Sequence, residues 1–103
     1  MATRLEQLKR LAEQKPDDNF VQYAIALEYV SVRRFKEAAE ILEASMRRDR
    51  TYVAAFHQAA RTYEQLEQID DARRCYEQGV AVATEQGDAH ARGEMEEALR
   101  MLE

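Results

Sequence analysis

Residues 22–46 read QYAIALEYVSVRRFKEAAEILEASM, and residues 56–80 read FHQAARTYEQLEQIDDARRCYEQGV. The two stretches align when the chain is shifted by 34 residues. Identical residues then coincide at four positions, namely Ala26 with Ala60, Tyr29 with Tyr63, Ala38 with Ala72 and Glu43 with Glu77. Small residues recur where two helices must approach closely. A period of this length, made of helix, turn and helix, predicts a solenoid of helix pairs.

Apolar residues follow helical spacing along the rest of the chain as well. The pattern predicts six helices and no strand, with boundaries near residues 3–15, 19–31 and 35–48, two helices within 53–86, and a last one over 88–102. Pro16 ends the first helix, and Gly87 is suited to end the fifth because glycine tolerates the left-handed conformation. The sequence therefore predicts a single all-α domain.

Composition and charge restrict the classes of function. Apolar residues make up 46% and charged residues 34% of the 103 residues, and the net charge is −5 with both signs interspersed. This balance does not favour nucleic acid or an anionic membrane as a partner. No apolar run approaches the roughly 20 residues of a spanning helix, and the N-terminus has no signal-peptide core. A single cysteine, Cys75, fits a reducing compartment. We expect a cytoplasmic protein.

At the repeated positions the sequence resembles the tetratricopeptide repeat (TPR) family. The residues that match its pattern are Ala26, Tyr29, Ala38, Leu42 and Ser45 in one repeat, and Phe56, Ala60, Tyr63, Ala72, Tyr76 and Gly79 in the next. The resemblance implies a right-handed superhelical solenoid of antiparallel helix pairs. Residues 3–15 then form the second helix of a truncated repeat, residues 19–50 and 53–86 form two repeats, and residues 88–102 form a capping helix. Arg33 and Glu67 depart from the pattern, since the inter-helix turn often has glycine there.

The resemblance also implies a function, because TPR proteins typically bind peptides or domains in a concave groove lined by the first helix of each pair. Some members clamp a C-terminal carboxylate with Lys, Asn and Arg. The matching positions in this chain are Tyr23, Leu27, Gln58, Asp88 and Arg92. Because Arg92 is the only one with the required charge, a clamp of that kind is not predicted. We expect a protein-interaction module whose partner is a protein or peptide.

The second helix has an apolar face in addition to the one whose residues recur in both repeats. This apolar row consists of Phe20, Tyr23, Leu27 and Val30, spaced like the turns of a helix. Three alternatives remain open: the leading helix and the chain termini cover the row, a partner helix or peptide binds it, or two copies of the chain form a homodimer through it. Exposing such side chains to water is unfavourable, so we expect something to cover the row.

A second, polar set of candidate binding residues lies on the fourth and sixth predicted helices. Its members are His57, Gln58, Arg61, Gln65 and Arg92. These side chains could orient an acidic or polar peptide segment in the groove. The alternative is an ordinary solvated face, since exposed charges are common and contribute little.

The sequence predicts no catalytic, cofactor or metal site. It has no glycine-rich nucleotide loop and no recognisable pair of nucleophile and base. His57 and His90 are far apart, and His90 with Glu94 supplies only two ligands at helical spacing. Cys75 is expected to be a packing residue rather than a reactive thiol. We therefore expect a binding protein and not an enzyme.

Overall fold

The computed structural model describes residues 2–102, which form six α-helices and no β-strand. The helices are α1 (Arg4–Gln14), α2 (Asn19–Ser31), α3 (Phe35–Arg48), α4 (Val53–Gln65), α5 (Ile69–Glu85) and α6 (Ala89–Met101). Each helix packs against the next one along the chain, which gives an elongated row of helices measuring 43 × 28 × 19 Å. The predicted all-α fold of six helices is confirmed.

Short polar side chains start three of these helices. Thr3, Asp18 and Asp88 each accept a hydrogen bond from a backbone N–H in the following first turn, at 3.0 to 3.1 Å. The first turn of a helix has N–H groups without intrahelical partners, so each such cap stabilises its helix by about 1 kcal/mol. These caps explain why α1, α2 and α6 begin where they do.

The three turns that follow α2, α4 and α5 share one backbone geometry. Each contains a residue with a positive φ angle: 63° at Arg33, 60° at Glu67 and 69° at Gly87. In all three turns the next backbone N–H donates to a carbonyl of the preceding helix at 2.8 or 2.9 Å. This closure satisfies a carbonyl that the helix end would leave unpaired, and it reverses the chain direction within a few residues.

The repeated small residues are the points at which helices approach most closely. Their side chains have no exposed surface in either repeat: Ala26, Ala38, Ala60 and Ala72. Larger side chains fill the space between them, and Leu42, Phe56 and Tyr76 are at most 2% exposed. Burial of a large apolar side chain contributes roughly 1.5–3 kcal/mol. The 34-residue alternation of small and large residues is therefore the packing pattern of the core.

Gly79 allows an especially close contact between α5 and its neighbours. A Cβ atom at this position would lie 2.5 Å from Sδ of Met95 and 3.1 Å from Cβ of Phe56. Met95 is the one fully buried side chain of α6, so it is held in place by the packing around it. Glycine at position 79 thus fixes how α6 packs on α5.

The leading helix α1 packs on α2 more loosely than the other helices pack on one another. None of its residues is fully buried, although Leu5, Leu8 and Ala12 contact the core. Arg4 Nε lies 2.8 Å from Glu28 Oε1, and Lys9 Nζ lies 5.4 Å from the centroid of the Tyr29 ring. Contacts of this exposed kind add little stability. The apolar side chains of α1 therefore supply most of its attachment.

A partly buried polar cluster joins α3, α4 and α5. Glu43 Oε1 accepts a hydrogen bond from the Tyr63 hydroxyl at 2.9 Å and another from the Arg74 guanidinium. Burial and the nearby Glu43 carboxylate raise the pKa of Tyr63 above its ordinary value. The cluster connects the two repeats by charge-assisted hydrogen bonds, which are stronger than neutral ones.

Within residues 2–102, no helix is both long enough and apolar enough to cross a membrane. That part of the chain also has no group of three or more His, Cys, Asp or Glu side chains placed to hold a metal ion.

Candidate functional site

Helices α2, α4 and α6 together line a surface with three cavities, which we call the groove. The cavity between α2 and α4 has a volume of about 230 Å³. Two further cavities, of about 360 and 580 Å³, lie between α4 and α6. Val30 of α2, Gln58 and Arg61 of α4, and His90 and Glu94 of α6 are among the lining residues. The groove is thus built from every second helix of the row.

The apolar row of α2 is divided between two environments, and two of its members face α4. Val30 lines the α2–α4 cavity, and Tyr23 is half-buried. The Tyr23 ring packs edge-to-face on the ring of Tyr52, which precedes α4, with ring centroids 5.6 Å apart. Burial raises the pKa of Tyr23. Tyr23 therefore stabilises the junction of the two repeats, and Val30 contributes an apolar wall to the groove.

The other two members of the apolar row are exposed at one end of the helix row. Phe20 is 75% and Leu27 is 38% exposed, and Leu11 of the adjacent α1 is 42% exposed. We call these three side chains the end patch. Within residues 2–102, then, the leading helix covers neither Phe20 nor Leu27 fully. None of these three side chains lines the cavity between α2 and α4.

The predicted polar residues of α4 all line the groove. Gln58, Arg61 and Gln65 line the cavity toward α2, while His57, Arg61 and Gln65 line a cavity toward α6. Arg61 has no carboxylate within 4.0 Å among the residues that the structure describes. The side-chain amides of Gln58 and Gln65 likewise make no hydrogen bond with another residue of the 2–102 range. These groups are free to bind a ligand.

His57 is a half-buried ionisable group of the groove. Its ring lies edge-on to the ring of Tyr76, with centroids 6.0 Å apart. Burial lowers the pKa of His57, although the nearby carboxylate of Glu94 acts in the opposite direction. The imidazole is therefore neutral at pH 7 and can donate one hydrogen bond and accept another.

Arg92 does not join the other candidate residues. It lines none of the three groove cavities, and its Nε lies 3.6 Å from Glu96 Oε1 on another side of α6. In the sequence, Arg92 was a groove candidate because it is one of the positions that match the family's carboxylate clamp. Helices α2 and α4 do start 34 residues apart, at Asn19 and Val53, but α6 starts 36 residues after α4. Two extra residues rotate a helix position by about 200°.

The same count identifies the groove residues of α6 that the sequence did not suggest. A shift of 36 residues places Gln58 on Glu94 and Arg61 on Glu97, and both glutamates line the cavity between α4 and α6. His90, which also lines this cavity, lies with its Nε2 2.6 Å from Glu94 Oε1. The α6 side of the groove therefore has two acidic side chains, Glu94 and Glu97, whereas α4 contributes the cationic Arg61.

Two further groove residues are Arg33, in the turn after α2, and Phe35, the first residue of α3. Arg33 and Phe35 line the α2–α4 cavity together with Val30 and Arg61. The Arg33 guanidinium carbon lies 5.3 Å from the centroid of the Phe35 ring, a cation–π distance. In the sequence Arg33 was notable only because it replaces a frequent glycine, and that position gave no sign of the cavity.

Cys75 lies in the core and not in the groove. Its side chain is fully buried, and its Sγ is 4.0 Å from Glu43 Oε1. Burial raises the pKa of the Cys75 thiol to about 12. The thiol is protonated at neutral pH, and this supports the interpretation of Cys75 as a packing residue.

Repeated helix pairs and a groove lined by alternate helices define the class of helical-repeat proteins. Residues 1–74 match the family model described as tetratricopeptide repeat, and the chain belongs to that family. The TPR fold is in general a protein–protein interaction module. The resemblance drawn from the sequence is confirmed.

Proteins of similar length resemble this chain in sequence, and two solved structures resemble it in fold. The chain is 26% identical over 99 residues to a TPR repeat-containing protein of Pseudomonas aeruginosa, and the match covers 96% of this chain and 94% of the relative. A solution structure of a tetratricopeptide repeat domain protein from Salinibacter ruber matches with a TM-score of 0.81 and 32% identity, over 85% of this chain and 89% of that one. A Bordetella parapertussis protein matches with a TM-score of 0.85 and 26% identity, over 99% and 89%.

Proposed function

We propose that this chain binds a segment of a partner protein in the groove lined by α2, α4 and α6. It acts through binding alone, and we assign no catalytic role to it. The observation that carries the proposal is the run of polar groove side chains that the fold leaves unused. Gln58, Arg61 and Gln65 line the groove without making side-chain contacts that hold the helices together.

Such a surface suits an extended peptide better than a small molecule. The cavities are shallow and follow one another across three helices, and amide side chains can pair with the N–H and C=O groups of a peptide backbone. Val30 and the half-buried face of Tyr23 supply apolar contact area at the α2 side. A partner segment would therefore gain both hydrogen bonds and apolar burial.

Selection from a library of random twelve-residue peptides, displayed on phage, tests the proposal directly. Peptides captured by the full chain are synthesised with a fluorescent label and titrated by anisotropy. The double variant Gln58→Ala, Gln65→Ala should bind them about tenfold or more weakly, because each hydrogen bond contributes about 0.5–1.5 kcal/mol.

The matched control is the variant Gln7→Ala, Gln14→Ala, which removes two exposed glutamines of α1 at the same seven-residue spacing. Its affinity should equal that of the unmodified chain. Peptides that bind both double variants equally well would place binding outside the groove and refute the proposal.

A second candidate function is self-association through the end patch. Phe20, Leu27 and Leu11 form the most exposed apolar surface on α1 and α2. The outer positions of α6, at the opposite end of the row, are mostly charged, as in Arg92, Glu96 and Arg100. An end-to-end contact between unlike ends would therefore be poorly matched. The complementary arrangement is patch against patch, a two-fold symmetric homodimer.

Molar mass from light scattering over a wide concentration range tests the homodimer. A mass near twice 12.0 kDa should be lost in the variant Phe20→Glu, whose site is 75% exposed. Leu27→Glu should act in the same way, with helicity retained. The control is Met101→Glu, since Met101 is 76% exposed on α6. A mass that stays at that of one chain at all concentrations would exclude the homodimer.

A further inference from the structure

The α2–α4 cavity contains two arginines that no carboxylate neutralises. Arg33 and Arg61 both line it, and neither has an Asp or Glu oxygen within 4.0 Å in the part of the chain that the structure describes. Arg34, the next residue in the chain, differs in this respect because its Nε lies 2.6 Å from Glu37 Oε2. The charge of the cavity is therefore available to an anionic ligand.

The remaining walls of this cavity are apolar or neutral. Val30 and Phe35 contribute apolar surface, and Gln58 and Gln65 contribute side-chain amides. The hydroxyl of Thr62 is already used, since it donates to the carbonyl of Gln58 at 2.8 Å. Among residues 2–102, no acidic residue lines this cavity, whereas Glu64 and Glu94 line the adjoining one. The positive charge is thus localised at the α2–α4 side of the groove.

The backbone at Arg33 is strained. Its φ angle of 63° lies in the left-handed region, where glycine would be free of steric conflict. Glu67 has the same geometry in the equivalent turn, with a φ angle of 60°, so the unneutralised charge of Arg33 in the cavity, and not the strain, is what distinguishes it. Arginine also presents a planar fork of donors that fits a carboxylate with two hydrogen bonds.

We propose that Arg33 and Arg61 bind the carboxylate of an Asp or Glu side chain within an extended partner segment. This inference rests on the proposed function, because it names the chemistry of the segment that the groove binds. Val30 and Phe35 would contact an apolar residue of the segment next to the acidic one. The groove continues toward α6 beyond Arg61, so the acidic group belongs to the middle of the segment and not to its C-terminal carboxylate.

The acidic side chains of α6 extend the pattern that the groove would bind. Glu94 and Glu97 line the part of the groove beyond Arg61 and favour a basic residue there. The segment that fits therefore has an apolar and an acidic residue at the α2–α4 side of the groove and a basic residue further along, toward α6.

The peptides selected by the full chain serve as the probe. They are resynthesised with amidated C-termini, and each acidic residue is replaced in turn by Asn or Gln. One such replacement should weaken binding about tenfold or more, and the affinity should fall as NaCl is raised. A peptide that binds only with a free C-terminal carboxylate would overturn the assignment to a side chain.

Two matched pairs of variants test the arginines. Arg33→Gly and Arg61→Gln should each weaken binding about tenfold or more. Glu67→Gly makes the same backbone change in the equivalent turn, and Arg47→Gln removes an exposed charge that lies outside the groove. Both controls should stay within about twofold of the unmodified chain. Thermal unfolding confirms that each variant is folded.

The two levels of the proposal fail in different ways. If binding is lost in Gln58→Ala, Gln65→Ala but is unchanged in Arg33→Gly and Arg61→Gln, the groove binds peptides and the acidic specificity is wrong. If the library yields no peptide that the groove variants affect, both the groove function and this inference are wrong.

Discussion

Arg33 and Glu67 lie 34 residues apart in equivalent turns, and both have a left-handed backbone, with φ angles of 63° and 60°. The turn after α5 has the same geometry at Gly87, where φ is 69°. A side chain in this region crowds the following carbonyl group, and glycine avoids the conflict. Two of the three turns therefore retain strained residues that the backbone alone would not favour.

Replacing either residue by glycine should stabilise the fold. We expect Arg33→Gly and Glu67→Gly each to raise the free energy of unfolding by about 1 kcal/mol, since the relief of steric strain exceeds the extra entropy of glycine in the unfolded chain. Urea unfolding followed by circular dichroism measures both values. A lower stability for Arg33→Gly would show that its contact with Phe35 outweighs the strain.

Two helical glycines should respond oppositely to alanine. Gly79→Ala is expected to lower the free energy of unfolding by about 1–3 kcal/mol, because the new Cβ would lie 2.5 Å from Sδ of the buried Met95. Gly93→Ala should raise it by about 0.5–1 kcal/mol, since no atom lies within 4 Å of the new Cβ and alanine favours the helix. Thermal unfolding of both variants gives the comparison. Equal shifts would mean that α6 moves easily on α5.

The carboxylate of Glu43 should contribute more to the free energy of unfolding than that of Glu77, its equivalent in the next repeat. Glu43→Gln weakens the hydrogen bonds from Tyr63 and Arg74 and should lower the free energy of unfolding by about 1–2 kcal/mol. Glu77→Gln makes the same change 34 residues later at an exposed site and should have an effect within about 0.5 kcal/mol. Urea unfolding of both variants measures the two changes in the free energy of unfolding. A large effect at Glu77 would contradict the asymmetry seen between the two repeats.

The fold should lose stability in alkaline solution through Cys75. Its thiol has an ordinary pKa of 9.0, which applies to the unfolded chain, and burial raises the pKa to about 12 in the folded chain. Because the pKa is higher in the folded chain, the protonated thiol stabilises the fold fully below pH 9. This stabilisation is lost as the pH rises toward 12. At pH 10 the free energy of unfolding should fall by about 1 kcal/mol from this group.

The variant Cys75→Ala isolates that contribution. Tyr63 and Tyr76 also have raised pKa values because they are buried, so they lower the stability in the same direction above pH 10. The difference between the two chains, measured by urea unfolding at pH 8, 9 and 10, therefore belongs to the thiol. Identical pH profiles would show that Cys75 is accessible to water in the folded chain.

The fold could be predicted from the sequence because its packing is local and repeated. The helices predicted over residues 19–31 and 35–48 have those bounds in α2 and α3. Small residues at a fixed period mark the helix crossings, and Asp18 and Pro16 mark a boundary. Each of these signals acts over a few residues, so none depends on knowledge of the distant chain.

The candidate site was less predictable because it depends on the relative rotation of helices. His57, Gln58, Arg61 and Gln65 were placed in the groove, since α4 follows the 34-residue period that defined it. Arg92 lies outside the three cavities because α5 has 17 residues, and its greater length alters the rotation of α6 relative to α4. The cavity beside Arg33 is formed by the turn of one repeat and helix α4 of the next. A pattern within a few residues of sequence does not predict a contact between such distant segments.

The longer α5 also limits how this chain can be lengthened by protein engineering. A consensus repeat grafted after α6 at the 34-residue period would be joined two residues out of register, and its binding face would point about 200° away from the surface it should continue. The splice must be counted from Ala89 instead, as the position equivalent to Val53. With that junction, an added module would extend the surface lined by α4 and α6 by one further helix pair.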